Sequence, residues 1–226
     1  MQKQTQHFLN IGLLMTTFKK TAKPMPYCAQ WVSADLIKGF LSGEIDAADD
    51  PKWGESGART RQEYKLWSGH ICGMACLRMV LQYARDIDVP LFSLLSLCLK
   101  YGGYKVEDGT IKGLFYFPFV KFINAEYGFE ACVVEDISIQ EVLPRLNDDC
   151  LFIASVHPTI RHPENKPPRK GGHLVLVHRF EPETNRLVFH NPSGTDESNQ
   201  ANVVMDIELF DMFFANRGIL IPLNLS

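Results

Sequence analysis

The chain has 226 residues, 46% hydrophobic and 22% charged, which is enough apolar material for one sizeable core and unlike a disordered or fibrous composition. A formal net charge of −3 supplies no excess positive field for phosphates, so neither nucleic acid nor an anionic membrane surface is an expected partner. The longer apolar runs, such as Leu151 to Val156, are strand-sized, which argues against membrane insertion.

Residues 1 to 26 lack a stable period and end in Lys23-Pro24-Met25-Pro26, so they read as an arm leading into a single domain over 27 to 226. Within that arm, Lys3 followed by the mildly apolar stretch Phe8 to Phe18 leaves secretion open, although Lys19, Lys20 and Lys23 follow without a small-residue cleavage site. An N-terminal extension, or a start at Met15, is an equal reading. The six cysteines, Cys28, Cys72, Cys76, Cys98, Cys132 and Cys150, are too sparse for a disulfide scaffold. Most read as reduced and buried, in a cytoplasmic protein. Cys72 and Cys76 stand four apart, but no Cys-x-x-Cys pair or His-x-x-x-His helix accompanies them, so no metal and no cofactor is expected.

Between Gln30 and Leu41 the apolar positions recur at helical spacing, with Ser33 as N-cap and Gly43 beyond the end. Residues 43 to 61 are acidic and aperiodic, with Asp49-Asp50-Pro51 as a solvated turn. From Cys72 the positions Cys76, Met79, Val80 and Tyr83 share one helical face too apolar to be solvated, which predicts a central helix. Further helices are predicted over about 90 to 100 and 114 to 126, divided by glycine turns at Gly102-Gly103 and Gly109. The second half changes period. Glu130 to Val134 and Leu151 to Val156 read as strands around a helix carrying Ile139, Val142, Leu143 and Leu146. His173 to Phe180 and Arg186 to Asn191 read as a hairpin across a polar turn, with a short helix at Leu209 to Phe214 and a closing strand from Gly218 to Leu223. Helices first and sheet second predicts α+β architecture, an N-terminal helical part packed on an antiparallel sheet.

A thiol becomes a nucleophile at neutral pH only with help, and a helix N-terminus and an imidazole both supply it. Cys72 opens the apolar helix after the turn-like Ser68-Gly69-His70, and Gly73 beside it admits a substrate backbone. His173 opens a buried strand after Gly171-Gly172, a pair that leaves room for a ligand, whereas His178 alternates to the other face. Asn191 is the expected orienter of the imidazole. A hairpin that sets His173 opposite Asn191, or shifts it by two so that the pair is diagonal, keeps both on one face; a shift by one separates them.

The ordered set Cys72-Gly-Met-Ala-Cys-Leu-Arg-Met, Gly-Gly-His173-Leu-Val-Leu-Val and Asn191-Pro192 resembles the papain-like cysteine peptidases, in particular the bacteriocin-processing, double-glycine leader peptidase family, over roughly residues 60 to 222. The resemblance implies a papain-like fold with Cys72 as nucleophile, His173 as general base and then acid, and Asn191 as orienter. It implies a peptide or other amide substrate, cleaved through an acyl-enzyme intermediate. There are two departures. The third residue is Asn191 where the bacteriocin-processing members carry Asp, and the oxyanion-hole Gln expected six residues before the nucleophile is Leu66. Gln62 is assigned that role, with Gln30 the alternative. Trp67, Gly73, Gly171 and Gly172 are expected to line the substrate cleft. The rim loop 157 to 170, with Arg161, Lys166, Arg169 and Lys170, is expected to bias it toward acidic groups. The chain has no P-loop and so reads as a free-standing relative. The same site would also serve an acyltransferase, and an inactive peptide-binding module is a third reading.

Overall fold

The computed structural model describes residues 23 to 146 and 149 to 223. The readings made for the stretch 1 to 22 lie outside the described residues. Seven α-helices are found among the described residues: α1 (Ile37–Ser42), α2 (Arg61–Ser68), α3 (Cys72–Arg85), α4 (Leu91–Lys100), α5 (Tyr116–Tyr127), α6 (Ile139–Val142) and α7 (Ile207–Phe213). The strands are β1 (Tyr104–Glu107), β2 (Thr110–Leu114), β3 (Cys132–Glu135), β4 (Cys150–Val156), β5 (His173–Glu181), β6 (Arg186–His190), β7 (Val203–Asp206) and β8 (Phe214–Pro222). β1 and β2 form a separate hairpin, and the other six form one antiparallel sheet in the order β3-β8-β4-β5-β6-β7. The architecture is α+β, with helices on an antiparallel sheet as the change of period predicts.

Both faces of the sheet are covered, which is why its central strands are apolar without a break. On one face Leu151, Ile153, Leu174, Leu176, Ile219 and Ile221 pack under the core of α3, α4 and α5. On the other, Phe152, Ala154, Val175, Val177, Leu187 and Phe189 meet α6 and α7. The helix α3 lies on the first face, with Met74, Cys76, Leu77 and Leu81 fully buried.

The stretch Arg61–Ser68, for which the sequence predicted no element, holds the helix α2, capped by the Thr60 side chain accepting from Glu63 N–H. Three local expectations are corrected. The region around Gly109 holds a strand pair, since Asp108 and Gly109 both adopt positive φ and turn the chain back on itself. Asp50 is fully buried rather than solvated. Its carboxylate accepts from the Ser33 hydroxyl at 2.6 Å, the Tyr64 hydroxyl at 2.5 Å and the Ser33 and Lys52 N–H groups. Burial alone would raise its pKa, but these donors outweigh burial and hold it below the usual carboxylate value. Ser33 is thus committed to Asp50 and makes no side-chain cap. Together with Val32 N–H on the Tyr64 hydroxyl at 2.9 Å, this knot fixes the extended segment before α1, which carries Gln30 and Trp31.

Candidate active site

Ser68 ends α2, Gly69 caps it, and His70 and Ile71 make the tight turn that delivers Cys72 to the first position of α3. The Tyr104 hydroxyl holds this turn by donating to the His70 carbonyl at 3.1 Å. No side chain caps the N-terminus of α3, so its first-turn N–H groups face the Cys72 sulfur rather than a capping side chain. Cys72 is half-buried. Burial pushes its thiol pKa up; N–H groups of Leu174, Gly73 and Cys72 itself and the positive charge of Arg161 pull against that.

His173 is buried at the start of β5. Its Nε2 lies 2.8 Å from Asn191 Oδ1 and 2.9 Å from Ser193 Oγ. The network fixes the proton. Asn191 Oδ1 accepts from Ser193 N–H at 3.2 Å, so the group facing the imidazole is the carbonyl oxygen, and Nε2–H must donate to it. Nδ1 is then left as the basic nitrogen. Arg161 braces the far side, its guanidinium donating to the Ser193 carbonyl at 2.6 Å and to the Ser193 hydroxyl. Burial, reinforced by the Arg161 charge, drives the His173 pKa down to about 3 despite the Asn191 hydrogen bond. Burial thus works against charge on both the thiol and the imidazole.

The hairpin explains how Asn191 and His173 meet. Leu176 pairs with His190 and Val177 with Phe189, a register that, continued outward, sets His173 opposite Ser193 and diagonal to Asn191. Near the turn the pairing is shifted by one, Arg179 with Val188 and Phe180 with Leu187. A β-bulge at His178 absorbs the odd residue and restores the parity that brings the two side chains together.

Cys72 and His173 line one cleft of about 440 Å³, with Gln30, Trp31, His70 and Gly172 among its other walls. Gly172 has φ +102° and Gly171 φ +81°, values that side-chain-bearing residues avoid, so this pair can open the strand only as glycines. Gly171 itself is buried beside Arg217, Ala215 and Ser155 and is not part of the cleft wall. Nor is Gly73, which is buried where a Cβ would meet Leu114 at 2.5 Å and Leu174 at 3.2 Å. Two further expectations are corrected. Gln62 is exposed on α2 and faces an outer groove with Arg59 and Leu66, because a helix that begins at Arg61 turns this position to solvent. Trp67 borders that same groove and packs edge-on against Tyr104, ring centres 5.6 Å apart. Gln30, named only as the alternative, is the glutamine at the cleft. It is buried, its N–H donates to the Pro192 carbonyl at 2.8 Å, and its Nε2 donates to the Ser68 carbonyl at 2.8 Å. Ser193 was given no role from the sequence, although its place opposite His173 follows from the diagonal register.

All six cysteines are free thiols, and Cys132 is exposed rather than buried. Among the described residues no group of three or more His, Cys, Asp or Glu side chains could hold a metal ion, and no helix is long and apolar enough to cross a membrane.

No protein-family model matches the chain, and no curated protein matches it. Among solved structures it is similar to the peptidase domain of Streptococcus ComA, a bi-functional ABC transporter involved in a quorum sensing pathway, at 22% identity and a TM-score of 0.46, over 68% of this chain and 93% of that one. It is also similar to a putative C39-like peptidase from Bacillus anthracis, at 14% identity and a TM-score of 0.48, over 67% of this chain and 88% of that one.

Proposed function

We propose that the chain is a cysteine peptidase or amide hydrolase of papain-like type, with Cys72 as nucleophile, His173 as general base and then acid, and Asn191 as orienter. The observation that carries this reading is the 2.8 Å bond from His173 Nε2 to Asn191 Oδ1, which leaves Nδ1 basic at the wall of the cleft that Cys72 shares. The imidazole accepts the thiol proton as sulfur attacks the carbonyl carbon. The charge that develops on His173 is met by Asn191 Oδ1. The imidazolium then protonates the leaving amine, and water attacks the acyl-enzyme with His173 again as base.

The oxyanion needs two donors. The uncapped N–H of Cys72 supplies one. Gln30 supplies the other, since its amide has a second N–H beyond the one given to Ser68, and its Oε1 is buried without a partner, so nothing but Ser68 holds the group. A filled donor position stands against the inactive-module reading, whose support was the lack of a glutamine near the nucleophile in sequence.

Iodoacetamide alkylation, followed site by site by mass spectrometry, tests the pair. Thiol–imidazole and thiolate–imidazolium forms hold the same number of protons, so Cys72 should react at a rate nearly constant from pH 5 to 8 and lose reactivity only as His173 protonates. His173→Ala should instead make the Cys72 rate rise about tenfold per pH unit over that range, as for a thiol without a base; an unchanged profile in that variant would remove the proposed function.

A further inference from the structure

The chain is acidic overall, with a net charge of −3, but the cleft around Cys72 is not. Its charged walls are Lys112, Arg161 and Arg217, and none of its lining residues is Asp or Glu. A fourth cation, Arg169, lies over Gly172 at the rim. Lys112 has only a loose ion pair, 3.8 Å from the exposed carboxylate of Glu107. Arg161 and Arg217 have no carboxylate partner among the described residues. Arg161 spends its donors on Ser193 and on the Pro158 carbonyl, and Arg217 rests beside the Tyr116 hydroxyl. The Arg161 guanidinium is partly withdrawn from water without a counter-ion, while the exposed Arg217 and Lys112 keep donors free, so a carboxylate bound among them would gain charge-assisted hydrogen bonds. Low-dielectric walls focus their field on the cleft, where a substrate would lie.

We propose that this cleft takes an acidic peptide, with the carboxylate of an Asp or Glu side chain next to the scissile bond held by Arg217 and Lys112. The proposal rests on the peptidase reading and deepens it by naming the substrate class. Its elements come from three places in the chain, β2, the loop after β4 and β8, so no single helix end or loop accounts for the charge. Arg161 acts mainly through Ser193 and is kept out of the test.

The test compares iodoacetate, an anionic alkylating agent, with neutral iodoacetamide on the intact protein. The ratio of their rate constants is measured at Cys72 and, as internal control, at exposed Cys132. We expect the Cys72 ratio to exceed the Cys132 ratio about tenfold or more and to fall with added salt. A nearby imidazolium could raise the ratio unaided, so the double variant Lys112→Gln/Arg217→Gln decides: the ratio should drop at least about fivefold, whereas a raised ratio that survives the variant overturns the proposal. A Cys72 ratio equal to that of Cys132 also overturns it, while leaving the peptidase reading intact. No preferential reaction at Cys72 with either reagent removes the peptidase reading and this proposal with it. A second arm identifies the source of the carboxylate by protection of Cys72 from iodoacetamide. Acetyl-Gly-Glu-Gly-amide should protect at lower concentration than acetyl-Gly-Gln-Gly-amide; protection only by acetyl-Gly-Gln-Gly with a free terminus would overturn the side-chain assignment.

Discussion

At the level of single residues, the imidazole of His173 is held by three partners of different kinds. Asn191 receives its proton, Ser193 fills the space beside that bond, and Arg161 can only donate and so keeps the serine oxygen turned toward it. Ser193→Ala removes an acceptor for the buried guanidinium and loosens the ring without touching the reacting atoms. It should lower kcat about tenfold, with KM nearly unchanged and the acid limb of the rate profile shifted, whereas Asn191→Ala should cost more, of order 10²-fold. Gln30→Ala should lower kcat by about 10²–10³-fold, and Gln62→Ala should leave turnover within about twofold. Equal effects of the two would undo the assignment of the oxyanion donor. Cys72, His173 and Asn191, the residues proposed for catalysis, could be picked out because each sits in a pattern with local meaning: a polar turn before an apolar helix, two glycines before a strand, a turn after one. Gln30 could be named only as an alternative, because what brings it to the cleft is the buried carboxylate of Asp50, and a pair of aspartates before a proline looks like any solvated turn.

At the level of elements, most helices and strands followed from period alone, since α3, α4, α5 and the central strands bury continuous faces. The hairpin of β5 and β6 was predicted in place, and its cleft-side register is the diagonal one of the two expected, but the one-residue shift near the turn was not foreseen. A turn-side pairing shifted by one would have separated His173 from Asn191, and the bulge at His178 that corrects it has no signature in a run of alternating large residues. The bulged ring is stacked near His190, ring centres 4.6 Å apart, and His190 in turn accepts from Asn202 N–H and donates to the Met25 carbonyl. The loop after β6 is the least tolerant part of this arrangement. A Cβ at Gly194 would lie 2.1 Å from the Asn199 carbonyl oxygen, a backbone atom that cannot step aside alone. Gly194→Ala should therefore displace Ser193 and Asn191 together, reducing turnover at least as far as Asn191→Ala and lowering the melting temperature by several degrees; Asn191→Ala, which takes the acceptor from the buried His173 and Ser193 donors without moving the loop, should lower melting less. A Gly194→Ala protein of full activity would show that the loop bends more freely than its packing implies.

For the whole molecule, buried imidazoles set the acid limit of stability. Burial lowers the pKa of both His173 and His178 to about 3, helped by Arg161 for the first and by His190 and Arg179 for the second. In the unfolded chain both would titrate near 6.5, so between about pH 6.5 and 3 the unfolded state binds more protons and stability must fall as pH falls. Each contributes a slope of up to about 1.4 kcal/mol per pH unit. Asp50, whose pKa is lowered, adds its loss only at the acid end, below the usual carboxylate value. Urea unfolding at pH 7, 6, 5 and 4 should show the midpoint falling steadily, and His178→Asn, remote from the cleft, should flatten the decline; a midpoint constant from pH 7 to 5 would contradict the burial of these rings.

The placement of Gln30 also bears on how the protein is made. Its backbone is tied to the Pro192 carbonyl and its side chain to Ser68, so a segment made before α3 is seated in part by one made after β6. During synthesis the thiol of Cys72 can be surrounded by its own helix long before β5, β6 and the loop beyond them exist. A nascent chain therefore carries a cysteine but no assembled machine. On the proposed function, the polypeptide around the glutamine is folded by the time it closes the cleft and no longer offers itself as a substrate.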